Sequence, residues 1–138
     1  MLRIELMDWS AARVDASRIR LKVFVEEQRV PAEIEMDDND AGCVHALAYW
    51  QGRAVGTGRL LPDGHIGRMA VLKDWRGRGI GALMLNSLMQ RAKERGYTEV
   101  ALSAQVQAVP FYRAHGFTPE GDEYLEAGIK HQAMKRRL

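Results

Sequence analysis

Residues 65–96 read HIGRMAVLKDWRGRGIGALMLNSLMQRAKERG, and this stretch decides the architecture. His65 to Leu72 is an apolar run with strand character. Lys73 to Arg78 is a polar loop. From Gly79 to Arg95, Ile80, Leu83, Met84, Leu88, Met89 and Ala92 recur at spacings of three and four, the apolar stripe of a helix. Gly96 ends that helix at the C′ position, after the basic residues Lys93 and Arg95. The next apolar run, Thr98 to Ala104, is again a strand, so the strand–helix–strand unit requires a parallel pairing or a crossover.

Working outward toward the N-terminus, Pro62-Asp63-Gly64 is a turn. Before it, Cys43–Trp50 and Arg53–Leu61 flank Gln51-Gly52, which reads as a hairpin. With the strand from His65 they make a three-strand antiparallel meander. Arg3 to Met7 is a first strand, and Ser10 or Asp15 is placed to cap a helix running to about Gln28, with Ile19, Val23, Leu21 and Phe24 on its apolar side. An acidic, proline-containing loop follows. Toward the C-terminus, Val106 to His115 is a short helix with Pro110 near its start and Gly116 as its stop, and a terminal strand covers His131 to Arg136. The order is strand, helix, three strands, helix, strand, helix, strand, a mixed-sheet α+β or α/β domain.

The 138 residues are enough for one domain, 1–138, with its own core. A net charge of +2 gives no strongly basic face for nucleic acid. The first fifteen residues carry Arg3, Glu5, Asp8, Arg13 and Asp15, and no run approaches the length of a membrane span. Cys43 is the single cysteine, which excludes an intrachain disulfide and a multi-cysteine zinc site. A cytoplasmic protein without nucleic-acid or membrane partners is the expectation.

Arg76-Gly77-Arg78-Gly79-Ile80-Gly81 is the segment with chemistry. Alternate glycines let backbone N–H groups converge, the helix start adds partial positive charge, and two guanidinium groups supply forked donors, a combination suited to phosphate oxygens. A Rossmann fingerprint would need a first βαβ unit and an acidic residue closing its second strand, and a Walker A loop would need Gly-Lys-Ser/Thr; neither is present. Asp37-x-Asn39 begins like a calcium loop, but Ala41 and Ala48 stand at ligand positions, so no metal is expected. Cys43 and His45 share a strand face without a third group to orient them, and no Gly-x-Ser-x-Gly elbow occurs.

These residues resemble the GNAT superfamily of acetyl-CoA-dependent acyltransferases. Arg76, Gly79 and Gly81 match its Arg/Gln-x-x-Gly-x-Gly/Ala loop, and Gln105, Ala108, Phe111-Tyr112 and Gly116-Phe117 match its Asn-x-x-Ala-x-x-φ-Tyr…Gly-Phe pattern, with Gln105 where many members carry Asn. A narrower likeness is to the small bacterial ElaA-type members, through Arg20, Val23-Phe24-Val25-Glu26-Glu27-Gln28, Asp37, Asp40 and Gly128-Ile129-Lys130-His131. The resemblance implies an α/β/α-layered α+β fold with a mixed, mostly antiparallel central sheet and flanking helices, and an N-acetyltransferase acting on an amine. The backbones of Met69 and Val71 would pair with the pantetheine arm, with Ala70 between them in the same cofactor-binding stretch. Arg76, Arg78, Gly79 and Gly81 would hold the pyrophosphate, with Gly77 and Ile80 in the same cofactor-binding loop. Gln105, Ala108 and Phe111 would line the rest of the cofactor site.

By the same resemblance Tyr112 is the general acid, and Glu27 and His131 are the candidates for the base. Acyl-homoserine-lactone synthases share the Arg-x-x-x-Phe and Asp-x-x-Asp arrangement but usually lack the Arg-x-x-Gly-x-Gly loop. A non-catalytic CoA-binding module would keep the loop and tolerate loss of Tyr112. Dimers are common in the family, so a homodimer is compatible with the resemblance. The charge is also segregated: residues 26–40 carry seven acids against Arg29, a net −6 that leaves +8 elsewhere. The resemblance puts the acceptor beside this window, which favours a small cationic amine steered electrostatically.

Overall fold

The computed structural model describes residues 1–35 and 37–138, and all their side chains except those of Ile34 and Glu35. Asp8 opens the first helix by accepting a hydrogen bond at its side chain from the Ala11 N–H. The sequence reading placed this cap at Ser10 or Asp15; Ser10 instead donates its hydroxyl to Asp8. The helix, α1 (Trp9–Arg20), continues as a π-helical segment over Leu21–Glu27, close to the expected end at Gln28. Ala12, Ala16, Ile19 and Val23 are buried, whereas Leu21 is exposed. A single helical turn, α2 (Ala32–Glu35), lies within the expected loop.

Strand β1 (Leu2–Met7) pairs with β2 (Val44–Trp50), and β2 pairs with β3 (Arg53–Leu60) through the Gln51-Gly52 turn, where both residues have positive φ, as a type I′ hairpin requires. β3 pairs with β4 (His65–Val71), completing the antiparallel meander. The crossover helix α3 (Ile80–Glu94) then leads to β5 (Glu99–Gln105), which lies parallel to β4. On α3 Leu85 is fully buried, while Leu83, assigned to the apolar stripe, is exposed. The short helix α4 (Val109–Ala114) precedes a strand absent from the sequence reading, β6 (Thr118–Glu126), and β7 (Ile129–Arg137). β6 lies at the sheet edge, pairs only with β7, and is almost wholly solvent-exposed, so no alternating apolar pattern marks it. The sheet order is β1-β2-β3-β4-β5-β7-β6.

Helices cover both faces. A Cβ at Gly56 would meet Ile80 and Met84, and one at Gly58 would meet Leu88, so these positions face α3. Arg59, on the opposite face by strand alternation, meets the carboxylate that also binds Arg20 of α1. This is the α/β/α layering that the resemblance implied.

A buried ionic network ties the α1 layer to the sheet. Arg20 binds Asp40 bidentately at 2.9 and 3.0 Å, Arg59 reaches the same carboxylate at 2.9 Å and Asp37 at 2.8 Å through each terminal nitrogen, and Arg68 donates to Asp37 at 3.1 Å. The His45 ring sits within 2.9 Å of the Asp40 carbonyl, which can only accept, so Nε2 carries the proton; burial lowers the pKa of this histidine. Hydrogen bonds from Arg59 hold the Asp37 carboxyl well below the ordinary range. For Asp40 burial pushes upward, but Arg20 and Arg59 outweigh it and the pKa is lowered.

Asp40→Ala should therefore cost about 3–5 kcal/mol in urea unfolding, because it removes the carboxylate that Arg20 binds bidentately and that Arg59 shares with Asp37, leaving buried positive charge under-compensated. Both carboxyls are depressed in the fold, so their contribution is complete above the unfolded value near about 4 and is lost as pH falls below it. Denaturant midpoints measured from pH 6 down to pH 3 should decline in the native protein and decline less in the variant.

Candidate active site

β4 and β5 pair only through His65 with Ala101 and Ile66 with Leu102. Beyond those two pairs the strands diverge toward their C-terminal ends, where β5 is held by β7 and β4 by β3. Arg68 has φ +51° at an irregularity in the β3–β4 register, so the chain bends where the strands part. A cavity of about 530 Å³ fills the cleft, with Met69 of β4, Ala104 and Gln105 of β5, and Ala108 and Tyr112 of the following turn among its walls.

At the end of β4 the chain turns through Lys73–Trp75 into the glycine segment. Gly77 and Gly79 have φ +77° and +79°, and a Cβ at either would meet nothing within 4 Å, so these glycines serve backbone conformation at the open head of α3. Ile80, the first residue of α3, is buried, and a Cβ at Gly81 would touch the Phe111 ring at 3.6 Å. Arg78 lies over the Trp75 ring at 5.0 Å. Arg76 donates from Nε to the Val71 carbonyl at 2.9 Å and from Nη2 to both oxygens of Glu27 at 3.0 Å. A candidate phosphate ligand and a candidate base are thus each other's partner.

Tyr112 is nine-tenths buried, with Phe111 and Phe117 edge-on to its ring. Its hydroxyl makes no hydrogen bond among the described residues, and burial pushes its pKa up to about 12. His131, on β7 opposite Gln105, also lines the cavity. Its Nδ1 is 2.7 Å from the Ile129 carbonyl and therefore carries the proton, which leaves Nε2 with its lone pair when the ring is neutral, 3.6 Å from Glu126. The Gln105 amide is engaged at both ends, donating to Gln28 at 2.7 Å and accepting from Gln28 and Gln107.

The acidic window is not an open field of negative charge. Asp37 and Asp40 are bound to arginines, Glu27 to Arg76, and Glu26 to Lys22. Glu33 and Asp38 are exposed, and the Glu35 side chain lies outside the described ones. Internal pairing of Glu26, Glu27, Asp37 and Asp40 reduces the net field that this window presents to a cation. Phe24, Gln28, Gly67 and Glu126 also line the cavity. Phe24 and Gln28 fell within the segment singled out by resemblance without a role, and Glu126 was hidden with β6. Among the described residues no group of three or more His, Cys, Asp or Glu is arranged to hold a metal, and no helix is long and apolar enough to cross a membrane.

Comparison with known proteins gives concordant results. Residues 10–138 match the family model described as an acetyltransferase (GNAT) domain. The Bacillus subtilis protein named uncharacterized N-acetyltransferase YjcF is 40% identical over 126 residues, 88% of this chain and 90% of its own length. Among solved structures, an acyl-CoA N-acyltransferase from Pseudomonas aeruginosa is 29% identical with a TM-score of 0.88, covering 99% of each chain. Escherichia coli ElaA is 26% identical with a TM-score of 0.87, again over 99% of each chain.

The buried phenol of Tyr112 has a consequence for stability. The folded state prefers it neutral, so its contribution is intact below the ordinary value of 10.0 and is lost as pH rises toward about 12. Denaturant unfolding between pH 9 and 11 should show stability falling with pH, with a shallower slope in Tyr112→Phe.

Proposed function

The chain belongs to the GNAT acetyltransferase family and is an acyltransferase; from that premise we propose that it transfers an acetyl group from acetyl-CoA to a primary amine in the cleft between β4 and β5. The observation that carries this reading is a cavity where β4 and β5 part, lined by Met69 of β4 on one side and by Ala104, Gln105, Ala108 and Tyr112 on the other. The residues fit the cosubstrate. Met69 and Val71 present backbone groups toward the edge that β5 does not cover, with the Val71 carbonyl held by Arg76, while Ala70 between them pairs with Thr57 of β3. Gly77, Gly79 and Gly81 leave the backbone of the loop open to phosphate oxygens, and Arg76 and Arg78 bring positive charge to it.

When bound, acetyl-CoA supplies an activated acyl group and a thiol leaving group. Tyr112 Oη holds its proton throughout the neutral range and is the donor to the departing sulfur. On the acceptor side His131 is the base we favour over Glu27, because its ring lines the cavity and, in the neutral ring, the Nδ1 contact leaves Nε2 as the accepting nitrogen. Glu27 is committed to Arg76. The apolar walls around Tyr112 keep water from the thioester and strengthen each charge-dependent contact.

A thiol-release assay with acetyl-CoA and primary amines should show amine-dependent turnover; CoA binding without release for any amine would refute transfer. Tyr112→Phe should lower kcat within the roughly 10²–10⁴-fold span of general acid–base groups while leaving the acetyl-CoA Kd nearly unchanged. His131→Gln should lower kcat/KM for the amine with the same unaltered acetyl-CoA affinity.

A further inference from the structure

We propose that the acceptor is a primary amine on an extended apolar stem, and that Gly67 is the residue whose missing side chain makes room for the stem. This names the substrate class of the same cleft and so rests on the acetyl-transfer reading. The cavity does not end at Met69 but continues along β4 past Gly67 to His65. The four residue steps from His65 to Met69 span about 13 Å. That is more than a short amine occupies.

Gly67 stands opposite Arg59 in the β3–β4 register, so a side chain there would leave the sheet on the Arg59 face, which α1 covers. A Cβ at Gly67 would meet nothing within 4 Å, and its φ is not positive. Neither backbone conformation nor close packing explains the glycine. Gly58 is the contrast: there a Cβ would run into the Met69 sulfur. Gly67 keeps a channel open, and Phe24, Val30, Leu61, Leu102 and Ile129 supply its apolar walls.

Charge lies at the rim. Asp63 and Glu126 line the cavity with side chains 62% and 55% exposed, Asp63 3.1 Å from His65 Nδ1 and Glu126 3.6 Å from His131 Nε2, and the His65 backbone N–H lowers the Asp63 pKa below its ordinary value. An ammonium group approaching this rim is attracted, passes inward to Tyr112 and His131, and trails its stem past Gly67.

The test uses ethylamine, butylamine, hexylamine and octylamine with acetyl-CoA, plus calorimetric binding of hexylamine to the CoA-loaded protein. Hexylamine should exceed ethylamine in kcat/KM by about tenfold or more, as burial of added methylenes implies. In Gly67→Leu that ratio should collapse toward one and hexylamine binding should weaken in parallel, with an intermediate ratio in Gly67→Ala. The melting temperature and acetyl-CoA Kd report whether each variant is folded.

If no amine is acetylated but hexylamine binds, and binds less well to Gly67→Leu, the channel assignment stands and the transfer reading fails. Equal kcat/KM for ethylamine and hexylamine, a ratio unmoved by Gly67→Leu, or no hexylamine binding overturns the proposal. A chain-length preference along an acyl-CoA series, abolished by Gly67→Leu, overturns it too and gives the channel to the acyl group.

Discussion

Asp40 accepts hydrogen bonds from two buried arginines, one on the first helix and one on the third strand. A carboxylate shared between Arg20 and Arg59 is costly to bury and ruinous to leave half-made, so it fixes the relative placement of α1 and the sheet more narrowly than apolar contact would. The π-helical segment that walls the cleft grows directly from the end of α1. Asp37 extends the same network to Arg68, at the bend where β4 leaves β5. The acidic stretch whose charge invites an electrostatic reading is thus chiefly a structural fastener, and the cleft takes its shape from it.

The cleft itself is a failure of pairing made permanent. β5 is saturated by β7 and β4 by β3, so each diverging strand is held on one side and free on the other. The free edge of β4 offers hydrogen-bonding groups in an extended row, a liability in most sheets and a binding surface here. Tyr112, on the helix that follows β5, and His131, on β7 beside β5, both line this gap, the first kept protonated by burial and the second offering Nε2 as its accepting nitrogen when the ring is neutral. Their separate environments supply the asymmetry that acid–base chemistry needs.

Most of the architecture was legible because it follows from local rules: the Gln51-Gly52 hairpin, the three-four spacing on α3, and the glycines that stop α3 and α4. The parallel contact of β4 and β5 followed from the length of the crossover. β6 was not legible, since an exposed edge strand carrying Pro119 and Gly121 has no apolar face to advertise it. The glycine turn and Tyr112 stood out by pattern, but the state of each side chain did not. Nothing in Glu27 or Arg76 as letters says that they bind one another across 49 positions, and nothing in Gln105 says that its amide is already paired with Gln28. Such facts belong to tertiary geometry, and they decide which candidates are free to act.

The Glu27–Arg76 ion pair makes the two halves of the cleft electrically interdependent. Any polyanion that draws Arg76 toward the glycine turn leaves a bare carboxylate at the end of the π-helical segment, where positive charge becomes more welcome. Reciprocity of binding free energies requires the converse: a cation settling on Glu27 loosens Arg76 for the anion. Two ligands of opposite sign can therefore assist one another by exchanging partners, without any movement of the backbone.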